Sequence, residues 1–186
     1  MRRAQHSGGR LAIFFTDLDN FKLVNETLGH QAGDELLTQA ANRICHAVRA
    51  SDRVVRLGSD EFTVVLEHIG SNRDIARVAD SIIQILSELF TLTAGAVNWV
   101  SASIGISVYP NDGHDADALL KHADVAMYAA KTEGKARHHF YHPKHSDAIL
   151  LRLSKERAIR HAMDSDEFVI HYQPRVATFT GYFCSL

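Results

Sequence analysis

The chain has 186 residues, 46% of them hydrophobic and 23% charged, which is enough for one domain with a sizeable core and part of a second. A formal net charge of -2 gives no electrostatic case for binding nucleic acid or an anionic membrane, so any phosphate-bearing ligand must meet a local cationic site. The two cysteines, Cys45 and Cys184, suggest no disulfide framework; no apolar run nears membrane-span length, and the first ten residues lack a signal-peptide core, so a cytoplasmic chain is expected, with any membrane anchor elsewhere in the parent protein.

Leu11 to Phe15, "LAIFF", is a continuous apolar run that reads as a strand buried on both faces. Asp17 and Asp19 follow at its carboxyl end, where ligands gather in α/β sheets. Gly29 and Gly33 read as loop punctuation. A helix is then expected over 34–50, with Leu36, Leu37, Ala40, Ala41, Ile44, Ala47 and Val48 on one stripe and Cys45 beside it as a small core residue.

"RVVRLGSDEFTVVLE", Arg53 to Glu67, reads as a hairpin: two β-prone runs flank a turn at Gly58 and Ser59, with Asp60 and Glu61 directly after it. Taken alone, such a turn is as readily a solvated one. A second helix is predicted over 72–90, with Ile75, Val78, Ala79, Ile82, Ile83, Leu86 and Leu89 at helical spacing. "WVSASIGISVYP" alternates as a strand with one small-residue face, closed by Pro110. An alanine-rich helix is expected over 115–131, with Gly134 as its stop, and "ARHHFYH" as a last strand.

Composition shifts at Pro143. The expected division is a first domain over 1–142, a linker over 143–148, and the start of a second module over 149–186, with a helix at 149–163 and a strand in "DSDEFVIHYQPRV". Of His138, His139, His142 and His145, three lie in or beside the predicted strand without a matching carboxylate, and they read as surface and linker residues rather than metal ligands.

Together, the segments "DLDNFK", "N…GH..GD", "RLGSDEF" and "AKTEGK" resemble the GGDEF family of diguanylate cyclases, over about Gly9 to Tyr141. Residues 149–186 resemble the lead-in helix and first strand of an EAL phosphodiesterase domain, stopping before the Glu-Ala-Leu signature, so no phosphodiesterase activity is expected from this chain. The resemblance implies an α/β (α+β) fold of nucleotidyl-cyclase type, a central, mostly antiparallel sheet flanked by helices. It implies condensation of two GTP into cyclic di-GMP, each 3′-hydroxyl attacking the other's α-phosphate, with Mg²⁺ (or Mn²⁺) and a homodimer that brings two domains face to face. Neither nucleic acid nor membrane contact is expected.

By position, Asp17, Asp60 and the Leu18 carbonyl match the family's metal ligands, a hard-oxygen set suited to Mg²⁺. Glu61 would activate the attacking hydroxyl or hold a second metal. Backbone amides at Asn20, Phe21 and Lys22 would cradle phosphates, with Lys131 and Lys135 as cationic contacts. Position 135 is often Arg in the family, so a point charge replaces a bidentate contact. Asn25 and Asp34 match the guanine-reading pair; Asp34 also reads as a helix N-cap. Arg49 and Asp52, in "RASD", match the family's inhibitory product site, against the reading of a helix-end ion pair, and Arg56 would add a cationic contact close by.

One position departs from the signature: Ser59 stands where the family has its second glycine. If the turn requires a left-handed conformation there, a side chain adds strain on the order of one to a few kcal/mol, and crowding of the nucleotide phosphates by its Cβ and hydroxyl would add to that. That predicts weak turnover with nucleotide binding kept, and at least about a tenfold gain in Ser59→Gly. The alternative is a catalytically degenerate module that binds GTP or cyclic di-GMP and regulates an attached EAL unit.

Overall fold

The computed structural model describes residues 9–144, together with a short strand pair formed by Arg175–Val176 and Phe183–Cys184. The chain divides into two compact units, Met1–Asp147 and Ala148–Leu186. The helix expected over 149–163 lies outside the described residues.

In the first unit the elements follow in order as β1 (Leu11–Asp19), α1 (Phe21–Leu28), α2 (His30–Ala47), β2 (Arg53–Arg56) and β3 (Glu61–Glu67). After these come α3 (Asn72–Leu86), β4 (Phe90–Leu92), β5 (Gly95–Val97), β6 (Ser101–Tyr109), α4 (Ala116–Thr132) and β7 (Arg137–Phe140). Five strands form one sheet in the order β2-β3-β1-β6-β7. β1 is central and antiparallel to both β3 and β6; only β7 joins in parallel, beside β6, after the α4 crossover.

The two faces of the sheet are unequal. Phe14 and Leu18 of β1, Phe62, Val64 and Leu66 of β3, and Ile104 and Ile106 of β6 meet Leu36, Ala40 and Ile44 of α2 and Ile75, Ala79 and Ile82 of α3 in the main core. On the opposite face Leu11 and Ile13 pack on Leu119 and Ala123 of α4. The small side chains expected on β6 explain this second contact. A Cβ on Gly105 would run into the backbone of Ala123, Ala126 and Met127, so glycine is what lets α4 lie close against the sheet.

Several boundaries differ from the sequence reading, each for a local reason. α2 begins at His30 rather than 34, and a further helix, α1, precedes it. Gly33 lies inside α2, with the Asn25 and Phe21 side chains over it, so it marks a close helix–helix approach and not a loop. α3 ends at Leu86 with Ser87 as its C-cap; Leu89 lies beyond the helix, 54% exposed, and the hairpin β4–β5 follows. Its start is sharper: Ser71 and Asp74 form a reciprocal capping box. Cys45 is exposed rather than a core residue, because it sits one position past the buried Ile44. α4 begins after Asp115, whose carboxylate accepts from the Ala118 amide, and Gly134 just beyond it has φ +119°.

Candidate functional site

The carboxyl end of β1 carries Asp17 and Asp19 on the α4 face of the sheet, both buried. β3 pairs alongside, with Asp17 opposite Glu61, and the Leu18 amide donates to the Asp60 carbonyl at 3.1 Å. That bond fixes the tip of the β2–β3 hairpin against the end of β1. Lys131, near the end of α4, places its Nζ 2.6 Å from Asp17 Oδ2. Burial pushes the Asp17 carboxyl up to about 6; the hydrogen bond and charge of Lys131 pull it down, and Asp60 and Asp19 push it up further.

These groups open into one cavity of about 380 Å³. Its lining includes Asp17, Leu18, Asp19, Asp60, Asn20, Phe21, Lys22, Lys131 and Lys135, nine of the positions singled out in the sequence, together with Glu26 and Leu23. Asn20 sits in the left-handed region at φ 64°, between β1 and α1, held by donation from its Nδ2 to the Trp99 carbonyl. Lys135 Nζ donates to Asn20 Oδ1 at 2.9 Å, bridging the end of α4 to the start of α1. A larger hollow of about 590 Å³ lies between α2 and α3, but Arg43 there is committed to the carbonyls of Ile85, Glu88 and Leu89 and to the Phe90 ring.

The hairpin tip corrects the expectation for Ser59. Among the described residues the left-handed positions other than glycine are Asn20, His68, Lys135 and Ala136, so Ser59 needs no glycine-like backbone and Gly58 is not left-handed either. The turn is closed by donation from the Leu57 and Gly58 amides to the Glu61 carbonyl. Arg56 holds it from outside, donating to the carbonyls of Gly58 and Ser59. Ser59 Oγ donates to Asp60 Oδ1 at 2.7 Å and so orients that carboxylate. Glu61 is half-buried behind the turn, its carboxylate beside Gly58, and does not line the cavity.

Asn25 and Asp34 lie outside the cavity lining but close to each other. The Asn25 side chain rests over Gly33, and Asp34 is the next residue of α2. Asp34 is the fifth residue of a helix whose N-cap is Gly29, so the N-cap reading fails and its carboxylate is exposed. Arg49 and Asp52 form no ion pair among the described residues. Asp52 instead accepts from the backbone amides of Arg49 and Glu67, tying the end of α2 to β3 and leaving the Arg49 side chain exposed at a small hollow with Asp74 and Val78. His138 is bonded to Asp80 at 2.9 Å and His139 to Glu133 at 2.9 Å.

Asp19 has a role that the sequence reading missed. Its Oδ1 accepts from Ser103 Oγ, and its Oδ2 from Ser101 Oγ and the Ala136 amide. The serines were visible as the small face of β6; what they bond to depends on the register Asp19 opposite Ser101 and Asp17 opposite Ser103.

Two carboxylates, Asp17 and Asp60, with a main-chain carbonyl form a hard-oxygen donor set, and the Lys131 ammonium already supplies a positive charge at Asp17. Among the described residues there is no cluster of three or more His, Cys, Asp or Glu. Two carboxylates and a carbonyl are a donor set of the kind that suits Mg²⁺, which typically rests on one or two carboxylates and completes its shell with water and phosphate oxygens.

The profile of the family described as "Diguanylate cyclase, GGDEF domain" matches residues 1–137. The chain belongs to the GGDEF family. The bifunctional diguanylate cyclase/cyclic di-GMP phosphodiesterase MucR of Pseudomonas aeruginosa is 36% identical over 181 residues, 97% of this chain and 26% of MucR. The diguanylate cyclase TpbB of the same species is 42% identical over 135 residues, 73% of this chain and 31% of TpbB. The chain thus spans about a quarter to a third of the length of these relatives. The solved GGDEF domain of TpbB superposes with a TM-score of 0.77 at 39% identity, covering 80% of this chain and 87% of that one. The active GGEEF domain of a diguanylate cyclase from Vibrio cholerae gives 0.69 at 28% identity, covering 76% and 88%. The antiparallel sheet with flanking helices is therefore the GGDEF fold. No helix among the described residues is long and apolar enough to cross a membrane.

Proposed function

We propose that this GGDEF domain condenses two molecules of GTP into cyclic di-GMP, with a divalent cation, Mg²⁺ or Mn²⁺, and a second copy of the domain. The observation that carries the reading is the convergence of Asp17, Asp60, Lys131, Lys135 and the Asn20–Lys22 turn on one cavity. Asp17, Asp60 and the Leu18 carbonyl would hold the cation, which would neutralise triphosphate charge and lower the pKa of the attacking hydroxyl. Lys131 near the end of α4 and Lys135 just beyond it would contact the phosphates, and the amides at the start of α1 would cradle them. Glu61, assigned by sequence position to activate the hydroxyl or hold a second metal, would have to turn its carboxylate from Gly58 toward the cavity to do so.

Asn25 and Asp34 are assigned to guanine. A carboxylate accepts from N1–H and the exocyclic amine, a donor pair that adenine does not present on that edge. Arg49 is assigned to the inhibitory product, where its fork suits guanine or phosphate acceptors. Asp52, held by two backbone amides, positions the chain that carries Arg49. The alternative of a binding-only module rested on strain and crowding at Ser59 and on the attached EAL unit; the turn geometry speaks against the strain. The resemblance of 149–186 to the start of an EAL domain supports an EAL unit in the parent protein, and the name of MucR pairs a diguanylate cyclase with a cyclic di-GMP phosphodiesterase.

Incubation with GTP and Mg²⁺, followed by chromatography of the nucleotides, tests the reading. Cyclic di-GMP should appear from GTP and no cyclic dinucleotide from ATP. GTP bound but unconverted would refute it, and equal affinity for ATP would refute the guanine assignment to Asn25 and Asp34.

A further inference from the structure

We infer that Asp19 is a positioning residue for the phosphate end of the site: its carboxylate anchors the left-handed Lys135–Ala136 segment and thereby aims Lys135. The inference deepens the cyclase reading and rests on it for the identity of the ligand. Three consecutive residues after α4 have positive φ: Gly134 at 119°, Lys135 at 62° and Ala136 at 48°. Glycine adopts this region freely, but lysine and alanine do not, so the surrounding structure must hold them there.

The holding contacts are specific. The Lys135 amide donates to the Ala130 carbonyl and the Ala136 amide to Asp19 Oδ2, both at 3.1 Å. Asp19 is only 2% exposed, and Ser101 Oγ at 2.7 Å and Ser103 Oγ at 2.8 Å fix its carboxylate from β6. Three donors thus converge on its two oxygens. Asp17, two residues earlier on the same face of β1, lines the same cavity and is paired with Lys131 instead. The next residue, Asn20, receives Lys135 Nζ at 2.9 Å, so the segment is tied to the β1 terminus at both its backbone and its side chain. Removing the anchor would let Lys135 and Ala136 relax, and the ammonium of Lys135 would leave the cavity.

Amide exchange and GTP titration in the presence of Mg²⁺ test this in wild type, Asp19→Asn and Asp19→Asn/Ala136→Gly. In wild type the Ala136 amide should exchange at least about a hundredfold more slowly than an open loop amide. Free exchange there overturns the proposal whether or not any variant folds. Asp19→Asn should lose that protection while the β1–β6 amides keep theirs. Its GTP dissociation constant and KM should rise about tenfold, with kcat falling less than about threefold. Glycine at 136 accepts positive φ without an anchor, so the double variant should recover most of the GTP affinity. A role confined to joining β1 to β6 would show no such recovery, and that result, or unchanged GTP affinity in Asp19→Asn, also overturns the proposal. Ala136 protection is read without turnover, so a protected loop in a protein that makes no cyclic di-GMP refutes the cyclase reading alone.

Discussion

Asp17 is held 2.6 Å from Lys131 in a buried place, and burial outweighs the pairing, so its carboxyl titrates near 6 instead of the ordinary 3.8. Between about 4 and 6 the folded protein therefore binds more protons at Asp17 than the unfolded chain does, and this group makes stability fall as pH rises through that window. Above 6 its full destabilisation is present, and divalent cation binding, which needs the ionised form, is favoured. Thermal melts of the cation-free protein should show wild type losing stability relative to Asp17→Asn from pH 4.5 to 6.5. The same variant should lose at least about a hundredfold in kcat/KM at pH 7.5. A flat difference across the melts would show that Asp17 titrates normally. Ser59 shows where residue identity stops short. The departure from the family signature was legible in the sequence, but its φ was not, and only φ decides whether a side chain is strained there. With no strain to release, Ser59→Gly should change turnover less than about threefold and lower stability by about 0.4–1 kcal/mol through the freer unfolded chain. Steady-state kinetics and urea melts check both; a tenfold gain in turnover would show that the serine does crowd the nucleotide.

The elements most legible in the sequence were those with one clear period. β3 and β6 alternate, α3 carries its apolar stripe, and the hairpin between β2 and β3 was marked by its turn residues. α1 was missed because its eight residues are too few to establish a helical period, and because Gly29 and Gly33 look like loop residues until the Asn25 contact is seen. α3 was drawn too long because Leu89 continues the spacing past the true end. Asp17, Asp60 and Lys131 were singled out by motif, but their meeting depends on α4 lying against β6. Gly105 permits that approach, since a Cβ would strike backbone atoms of α4, which cannot rotate away as a side chain can. Gly105→Ala should therefore destabilise the domain by about 1–3 kcal/mol. It should also weaken GTP binding, because α4 carries Lys131 with it. Denaturant melts and GTP titration of the same preparation measure the two effects, and a stable variant with intact affinity would show that the helix can shift without cost.

At the scale of the whole molecule the cavity itself sets the order of the reaction. About 380 Å³ lies at the small end of the range for a pocket holding one drug-sized ligand, and one group of cations, Lys22, Lys131 and Lys135, lines it. The proposed reaction requires two GTP, each hydroxyl in line with the other's α-phosphate, so on that reading the second nucleotide would arrive on a second domain. Nothing in the net charge of -2 draws two copies together, and the substrate adds negative charge to each. Any steering must come from local cations, with the shared product bond formation occurring only during encounter. Initial rates at saturating GTP and Mg²⁺ should therefore rise with nearly the square of protein concentration in the dilute range, and become linear only when the domains are mostly paired. Mixing wild type with a large excess of Asp60→Asn should lower the activity per wild-type molecule at fixed wild-type concentration, because mixed pairs lack one competent half. A rate strictly linear in protein down to the lowest measurable concentration, and untouched by the variant, would mean that a single domain handles both nucleotides. The assignment of one GTP to each cavity would then have to be abandoned.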